Sequence, residues 1–377
     1  MARRANGEGS WYKQNEKTWR LRVYYENETK NFYGTKEECL QKKSDYEALL
    51  RTGYSPSQKS PEFDTFARAW LKNVKMKQLK PGSYDRLETT FEKHLIPVLE
   101  DTELNNIDDF VIQTDIINKM QDSGLSHSTI KKAYDGLNSI FKYAIAKKKM
   151  VENPMDLVEM PNKSMFETKD IVYWSKEERD RFIQACKSTY TNGNRRYSFS
   201  SLFIFCLRTG CRIGEALSLK HNEVDHERHT ALIDSTIVMT KDRKNKCSLL
   251  LDQQSTKRNG SRIIYVSDEA LAAIDDAKAQ LGWTPDGYVF HTQNNGPISI
   301  ATAQKSFYAL LTVAGLQKCG THTMRHTFVS LALQNNVPLV AIADQIGHSN
   351  PGITSRIYAH LLKEAKMASM EVFNKMA

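Results

Sequence analysis

The stretch from Thr321 to Tyr358 constrains this chain more than any other. It reads Thr-His322-Thr-Met-Arg325-His326, then an apolar run at helical spacing, then Gly347-His348 and, ten residues later, Tyr358. Leu, Val, Ile and Ala at such intervals call for helices that bury a face. The Arg325 guanidinium, three imidazoles and a phenol are threaded through the same segment, and buried polar groups need partners. Together they read as an active site built on buried helices, whose chemistry the rest of the chain must decide.

With 377 residues, two or three domains and at least one sizeable core are expected. The 53 Lys and Arg exceed the 44 Asp and Glu, for a net charge of +9 spread along the whole chain. That balance favours a polyanionic partner over an anionic membrane. Six cysteines form no Cys-x-x-Cys pair, so reduced thiols in a cytoplasmic protein are expected. The N-terminus has no apolar core, and the most apolar short run, Leu202 to Leu207, is far below the ~20 residues that span a bilayer. No membrane association is expected.

Residues 10 to 33 alternate aromatic and charged positions, which predicts a small antiparallel sheet of two or three strands. Thr35 and Glu38 are spaced as a capping box for a helix running to about Arg51. Such a unit suits Arg20, Arg22 and Lys30 to contacts with a phosphate backbone. Residues 53 to 61, rich in Pro and Ser, read as a linker. Four helices follow: one through Phe63 to Val74, a second capped by Ser83, a third near Thr114 to Gln121, and a fourth opening at Ser126-His-Ser128-Thr129. Lys131 and Lys132 lie in the first turn of the fourth, where cations oppose the helix dipole, so dipole capping does not explain them. A helical module with basic ends reads as a DNA clamp.

The expected domains are 1–55, a small sheet plus helix; 56–152, a helical module; 153–172, a linker; and 173–377, the last domain with a C-terminal tail. Ser175 and Glu178 form a second capping box. An apolar helix from Phe199 stops at Thr209-Gly210, and a new helix starts with Arg212 at its head. Residues 230–239, 248–252 and 262–266 read as strands, with Lys257 in the turn before the last. Helices resume over 268–281 and 300–314.

His322 and His326, spaced i, i+4, raise the question of zinc. A zincin helix needs Glu directly after the first His, and position 323 is Thr. Residues 315–321 lack the Lys of a phosphate-binding loop. Metal-free phosphoryl transfer suits the residues better. A phosphodiester under attack spreads negative charge over its non-bridging oxygens, where fixed donors are worth about 3 to 4 kcal/mol each. Arg212 at a helix N-terminus adds its planar fork of donors to the backbone dipole. His322 and Arg325 are i, i+3 and face the same way.

Thr209-Gly-Cys-Arg212-Ile-Gly-Glu215-Ala-Leu, Thr256-Lys257, His322-Thr-Met-Arg325-His326, Gly347-His348 and Tyr358 together resemble the signature of the tyrosine recombinases. The resemblance is strong over 175–362. The helical region is similar to their core-binding domain, of SAM-like type, and the N-terminal sheet to the arm-binding domain of phage and conjugative-transposon integrases. The implied architecture is multidomain and mainly α with small β-sheets, the catalytic domain being mixed and mostly α.

The resemblance implies that Tyr358 attacks the scissile phosphate to give a 3′-phosphotyrosine and a free 5′-hydroxyl. Arg212, Arg325 and His348 would stabilise the pentavalent phosphate, Lys257 would protonate the leaving 5′-oxygen, and His322 would assist proton transfer. Glu215 would support the site without doing chemistry, and His326 would be structural. Further DNA contacts are expected from Arg243 and Lys244. The implied enzyme needs no cofactor, metal or ATP. It would act as a homotetramer on double-stranded DNA with core and arm sites, with an excisionase and DNA-bending host proteins as possible partners, at the nucleoid. A chromosome-dimer recombinase, a type IB topoisomerase and a catalytically silent DNA-binding regulator are the competing readings. The N-terminal unit argues against the first of these, and the His-Arg-His set against the second.

Overall fold

The computed structural model describes residues 9–13, 18–25, 28–51, 60–150, 152–167, 171–193, 195–197, 199–243, 247–254, 261–348, 352 and 355. The chain divides into two compact units, 1–167 and 168–377.

In the first unit, strands β1 (Ser10–Lys13), β2 (Trp19–Tyr25) and β3 (Glu28–Gly34) form an antiparallel sheet in the order β1-β2-β3. Leu21, Val23 and Phe32 turn to one face and pack with Cys39 and Tyr46 of the helix Lys36–Arg51. The expected capping box starts that helix: the Glu38 backbone N–H donates to Thr35 Oγ1 at 3.2 Å, and the Thr35 N–H to Glu38 Oε2 at 2.9 Å.

A separate core is built by four helices, in which Phe63, Trp70, Phe91, Ile116, Leu137 and Phe141 are all buried. The first and second run on through single turns of π-helix at Leu71–Lys75 and Phe91–Leu95. Two helix starts differ from expectation. Pro81, not Ser83, opens the second helix, because a proline at the first helical position has no N–H in need of a partner. The third begins at Asp109, where the side chain of Asp108 accepts from the Val111 N–H at 2.7 Å. The fourth, His127–Ala146, is capped by Ser126 as expected.

Residues 153–166, expected as the first part of a linker, pack on this bundle. Met155 and Val158 join its core, the Tyr134 hydroxyl donates to the Val158 carbonyl at 3.3 Å, and the Glu159 N–H donates to Gln113 Oε1 at 2.8 Å. The segment has no helical periodicity, so its apolar anchors escaped the pattern.

In the second unit, the helix Ser200–Thr209 is buried on all sides, as its unbroken apolar run requires. It ends at Gly210, whose φ of 71° gives the left-handed cap. The helix Ile213–Ser218 follows at once and lies against the strand Ser235–Asp242; a Cβ at Gly214 would meet Thr236 Oγ1 at 2.6 Å. The expected strand 230–239 is two strands, β5 (Thr230–Ile233) and β6 (Ser235–Asp242), interrupted at Asp234. Ala231, Ile233, Ser235 and Ile237 stay buried in phase, so alternation alone does not reveal the break. Strand β5 pairs with β4 (Val224–Asp225) and β8 (Arg262–Tyr265), whereas β6 forms a hairpin with β7 (Cys247–Gln254). Among the described residues no helix is long and apolar enough to cross a membrane.

Candidate active site

Three breaks in the chain place the site. Arg212 is the N-cap of the helix Ile213–Ser218, two residues after the Gly210 cap. Arg325 lies in the first turn of the helix His322–Gln334, which is anchored through Thr327, whose Oγ1 accepts the Trp174 N–H at 2.9 Å. His348 follows Gly347, the left-handed cap of the helix Leu339–Ile346. The His348 N–H reaches the Ala343 carbonyl at 2.9 Å and the Gly347 N–H the Asp344 carbonyl at 3.1 Å, the paired bonds of a Schellman cap.

Glu215 organises the cations. It is 8% exposed. Its Oε2 accepts the Arg212 backbone N–H at 3.0 Å and its Oε1 accepts Arg212 Nη1 at 2.7 Å. The same carboxylate accepts two bonds from Arg262 of β8, at 2.7 and 3.3 Å. Burial works to raise the Glu215 pKa, but Arg262 and then Arg212 outweigh it and hold the carboxyl below its usual range. The expected supporting role of Glu215 thus has a geometry, and Arg212 keeps a half-exposed guanidinium.

Arg325 is 2% exposed. Its Nη1 donates to the Gly210 carbonyl at 3.0 Å, and its buried Nη2 has no partner among the described residues. Burial, and next the charge of Arg212, push its pKa down to about 10, so it remains cationic at neutral pH. Burial followed by Arg325 and Arg212 lowers His322. Burial and the same two arginines bring His348 down to about 4. His326, half-buried and beside His322 with ring centroids 4.7 Å apart, is also held at about 4, by burial first. These imidazoles are therefore neutral at pH 7, each with one N–H donor and one acceptor nitrogen.

The structure brings Arg212, Glu215, His322, Arg325 and His348 together; Lys257 and Tyr358 lie outside the described residues. Arg262 and Gln345 escaped the sequence reading. Arg262 shares a strand face with buried Ile264, and a charged residue at a core-facing strand position is the signal that marks it. Gln345 donates to the Thr209 and Tyr265 carbonyls at 3.2 and 2.8 Å and accepts the Tyr265 N–H at 2.9 Å, tying the His348 helix to β8 and to the Arg212 turn. Nothing in its local pattern announces this. Three guanidiniums against one carboxylate, among the described residues, leave a net positive cluster in which Arg212 and Arg325 can turn donors toward an anion.

The expected DNA contacts are dispersed. Arg20 and Arg22 share the outer face of the N-terminal sheet with the exposed Tyr12, Tyr24 and Tyr33, and the Arg20 guanidinium lies 4.6 Å from the Tyr12 ring. Lys30 pairs with Val23 on the opposite, helix-facing side, its Nζ 5.3 Å from the Tyr46 ring, so it does not join that surface. Ser126, Ser128 and Thr129 hydrogen-bond one another at the start of their helix, with Lys131 and Lys132 exposed beside them and Lys131 paired to Asp135. Arg243 is exposed at the β6–β7 turn; Lys244 lies outside the described residues.

Residues 173–365 match the phage integrase family, and residues 62–121 match the N-terminal SAM-like domain of phage integrases. A tyrosine recombinase XerC-like protein of Caldanaerobacter subterraneus subsp. tengcongensis is 25% identical over 92% of this chain and 91% of its own length. The integrase of Staphylococcus phage L54a is 25% identical over 84% of this chain and 93% of its own. The fold is similar to that of the Tn1549 transposon integrase in complex with a circular-intermediate DNA, with a TM-score of 0.64 at 18% identity over 82% of this chain and 99% of that one. The family match spans the whole cationic pocket and more than half of the chain: this protein belongs to the phage integrase family, the tyrosine recombinases.

Proposed function

We propose that this protein is the site-specific integrase of a mobile genetic element, cutting and rejoining double-stranded DNA through a 3′-phosphotyrosine at Tyr358. The observation that carries the reading is the pairing of buried Arg325 with Arg212. Burial and the nearby charge of half-exposed Arg212 work against the ionisation of Arg325, an arrangement that costs stability unless an anion fills the space between them. A phosphodiester entering there gains the Nη2 of Arg325, which has no partner among the described residues, and the half-exposed fork of Arg212. His348 donates one N–H, and His322, neutral in the free protein, takes the proton of the attacking phenol. A phenol is ionised only about one part in a thousand at pH 7, and the clustered cations offset much of that deficit. Lys257 delivers a proton to the leaving 5′-oxygen. The phosphodiester energy is kept in the covalent adduct, and four strands exchanged between two duplexes require four protomers.

Residues 1–55 would bind arm sites through the Arg20–Arg22 face, and the helical module would grip the core site. A chromosome-dimer-type recombinase is the second reading within the same chemistry. The decisive experiment is incubation with a nicked suicide duplex. A covalent protein–DNA adduct is expected, absent in Tyr358→Phe. Persistence of the adduct in that variant would remove Tyr358 as nucleophile, and its absence in the wild type would leave a silent DNA-binding protein.

A further inference from the structure

We infer that Arg262 is a positioning residue of the strand-cleavage reaction, clamping Glu215 so that the Arg212 guanidinium is held at the scissile phosphate in register with His348. The inference rests on the phosphoryl-transfer reading of the site and adds to it a residue from a strand that contributes no other group to the pocket.

The Arg262 fork is engaged at each of its three nitrogens. Nη2 and Nη1 reach the two oxygens of Glu215 at 2.7 and 3.3 Å, and Nε donates to the Gln345 carbonyl at 3.2 Å. Its side chain is 14% exposed, against 44% for Arg212. With each of its three nitrogens already bonded inside the fold and its side chain largely buried, it acts through its neighbours. Without it, Glu215 would keep only its two bonds from Arg212, and the direction of the Arg212 fork would be set less tightly. The Arg262 side chain also packs closely against Gly347 in the His348 turn. A Cβ at Gly347 would come within 2.8 Å of both Arg262 Cζ and Nη1, so the glycine before His348 is what lets the clamp close. One side chain thus sets the relative placement of Arg212 and His348, which are 136 residues apart in sequence, by the numbers 348 and 212.

Lysine offers a point charge where arginine offers a fork, so Arg262→Lys keeps the charge and loses the clamp. Arg262→Gln removes both. Under single-turnover conditions with saturating protein on the nicked duplex, cleavage is expected to slow about 10-fold in the lysine variant and about 100-fold in the glutamine variant, the scale of a misplaced catalytic group. DNA affinity should change less than about 3-fold, because the phosphate-tracking cations elsewhere are untouched. A methylphosphonate at the scissile position supplies the second readout. When the oxygen facing Arg212 is replaced by methyl, the placement of that guanidinium no longer matters, so the penalty of Arg262→Gln should collapse for one of the two diastereomers. A merely structural role predicts the same penalty on the phosphate and on both methylphosphonates, and that result would overturn the inference. So would variants that cleave at the wild-type rate while the wild type forms its adduct. Failure of the wild type itself to form an adduct would instead overturn the recombinase reading, and this inference with it.

Discussion

Arg325 and Gly210 are joined by a hydrogen bond of 3.0 Å between Nη1 and the carbonyl that ends the buried helix, across 115 residues of sequence. The bond fixes the guanidinium while leaving Nη2 buried and without a partner among the described residues. A charged donor in that state costs stability until a ligand completes it, so binding and folding oppose each other at this position.

The first prediction follows from that opposition. Arg325→Met should reduce single-turnover cleavage by about 100- to 1,000-fold, the loss associated with one preorganised donor. The melting temperature of the free protein should nevertheless be no lower than that of the wild type, because a desolvated charge beside Arg212 has been removed. A calorimetric scan of both proteins decides it. Marked destabilisation of the methionine variant would mean that the Gly210 contact outweighs the cost of burying the charge.

Gly210 itself admits little change. At φ 71° a side chain is strained by about 1 to 2 kcal/mol. A Cβ there would stand 2.5 Å from Phe328 Cδ1, overpacking that adds about 1 to 3 kcal/mol. Gly210→Ala should therefore lower stability by about 2 to 5 kcal/mol in urea titration, the sum of those two costs. Cleavage by the folded fraction should fall as well, since the carbonyl holding Arg325 must move. A variant of wild-type stability would show that the turn relaxes freely.

Acid should weaken the free protein and strengthen its hold on DNA. His326 and His348 are held at about 4, by burial first and by neighbouring charge second, whereas in the unfolded chain they titrate near 6.5. Between those values the unfolded chain takes up protons that the folded protein refuses. The stability is fully present above about pH 6.5 and declines as pH falls toward about 4. A phosphate beside His348 raises its pKa, so DNA binding at pH 5.5 should take up protons and show a calorimetric heat that depends on the buffer's ionisation enthalpy. A heat identical in all buffers would contradict the placement of His348 at the phosphate.

Sequence legibility followed sequence distance. Arg212 was readable because a glycine break precedes it, and His322 and Arg325 because one helical turn carries both. Glu215 was legible as a support three residues after Arg212, but its partner Arg262 was not. Glu215 and Arg262 meet across 47 residues, and the strand pattern around Arg262 shows only an alternation with one misplaced charge. Gln345 joins three elements through backbone carbonyls, which any residue provides. The break at Asp234 was hidden because the alternation of buried positions continues in phase on both sides of it. Elements formed by local signals, such as the Thr35 and Ser175 capping boxes, were legible in full. Those formed by long-range pairing of common groups leave no local trace.

The N-terminal sheet supplies the last prediction. Leu21, Val23, Phe32, Cys39 and Tyr46 close a core of their own, distinct from the cluster that fills the helical bundle. Removing residues 1–55 therefore takes away one hydrophobic cluster and leaves the others intact. The truncated protein should fold, and it should form the Tyr358 adduct on a core-site duplex at close to the wild-type rate. It loses the Arg20–Arg22 face with its three exposed tyrosines, a surface that combines phosphate-binding charge with flat rings. Integration between a core site and a DNA carrying distal arm sites should then fail, while cleavage persists. Each neutralised phosphate contributes nearly one unit to the log–log salt dependence of affinity. The slope on arm DNA should accordingly drop by about two when both Arg20 and Arg22 are replaced by alanine in the full chain. Equal integration by the truncated protein would remove the arm-binding role and favour a recombinase that needs only its core site.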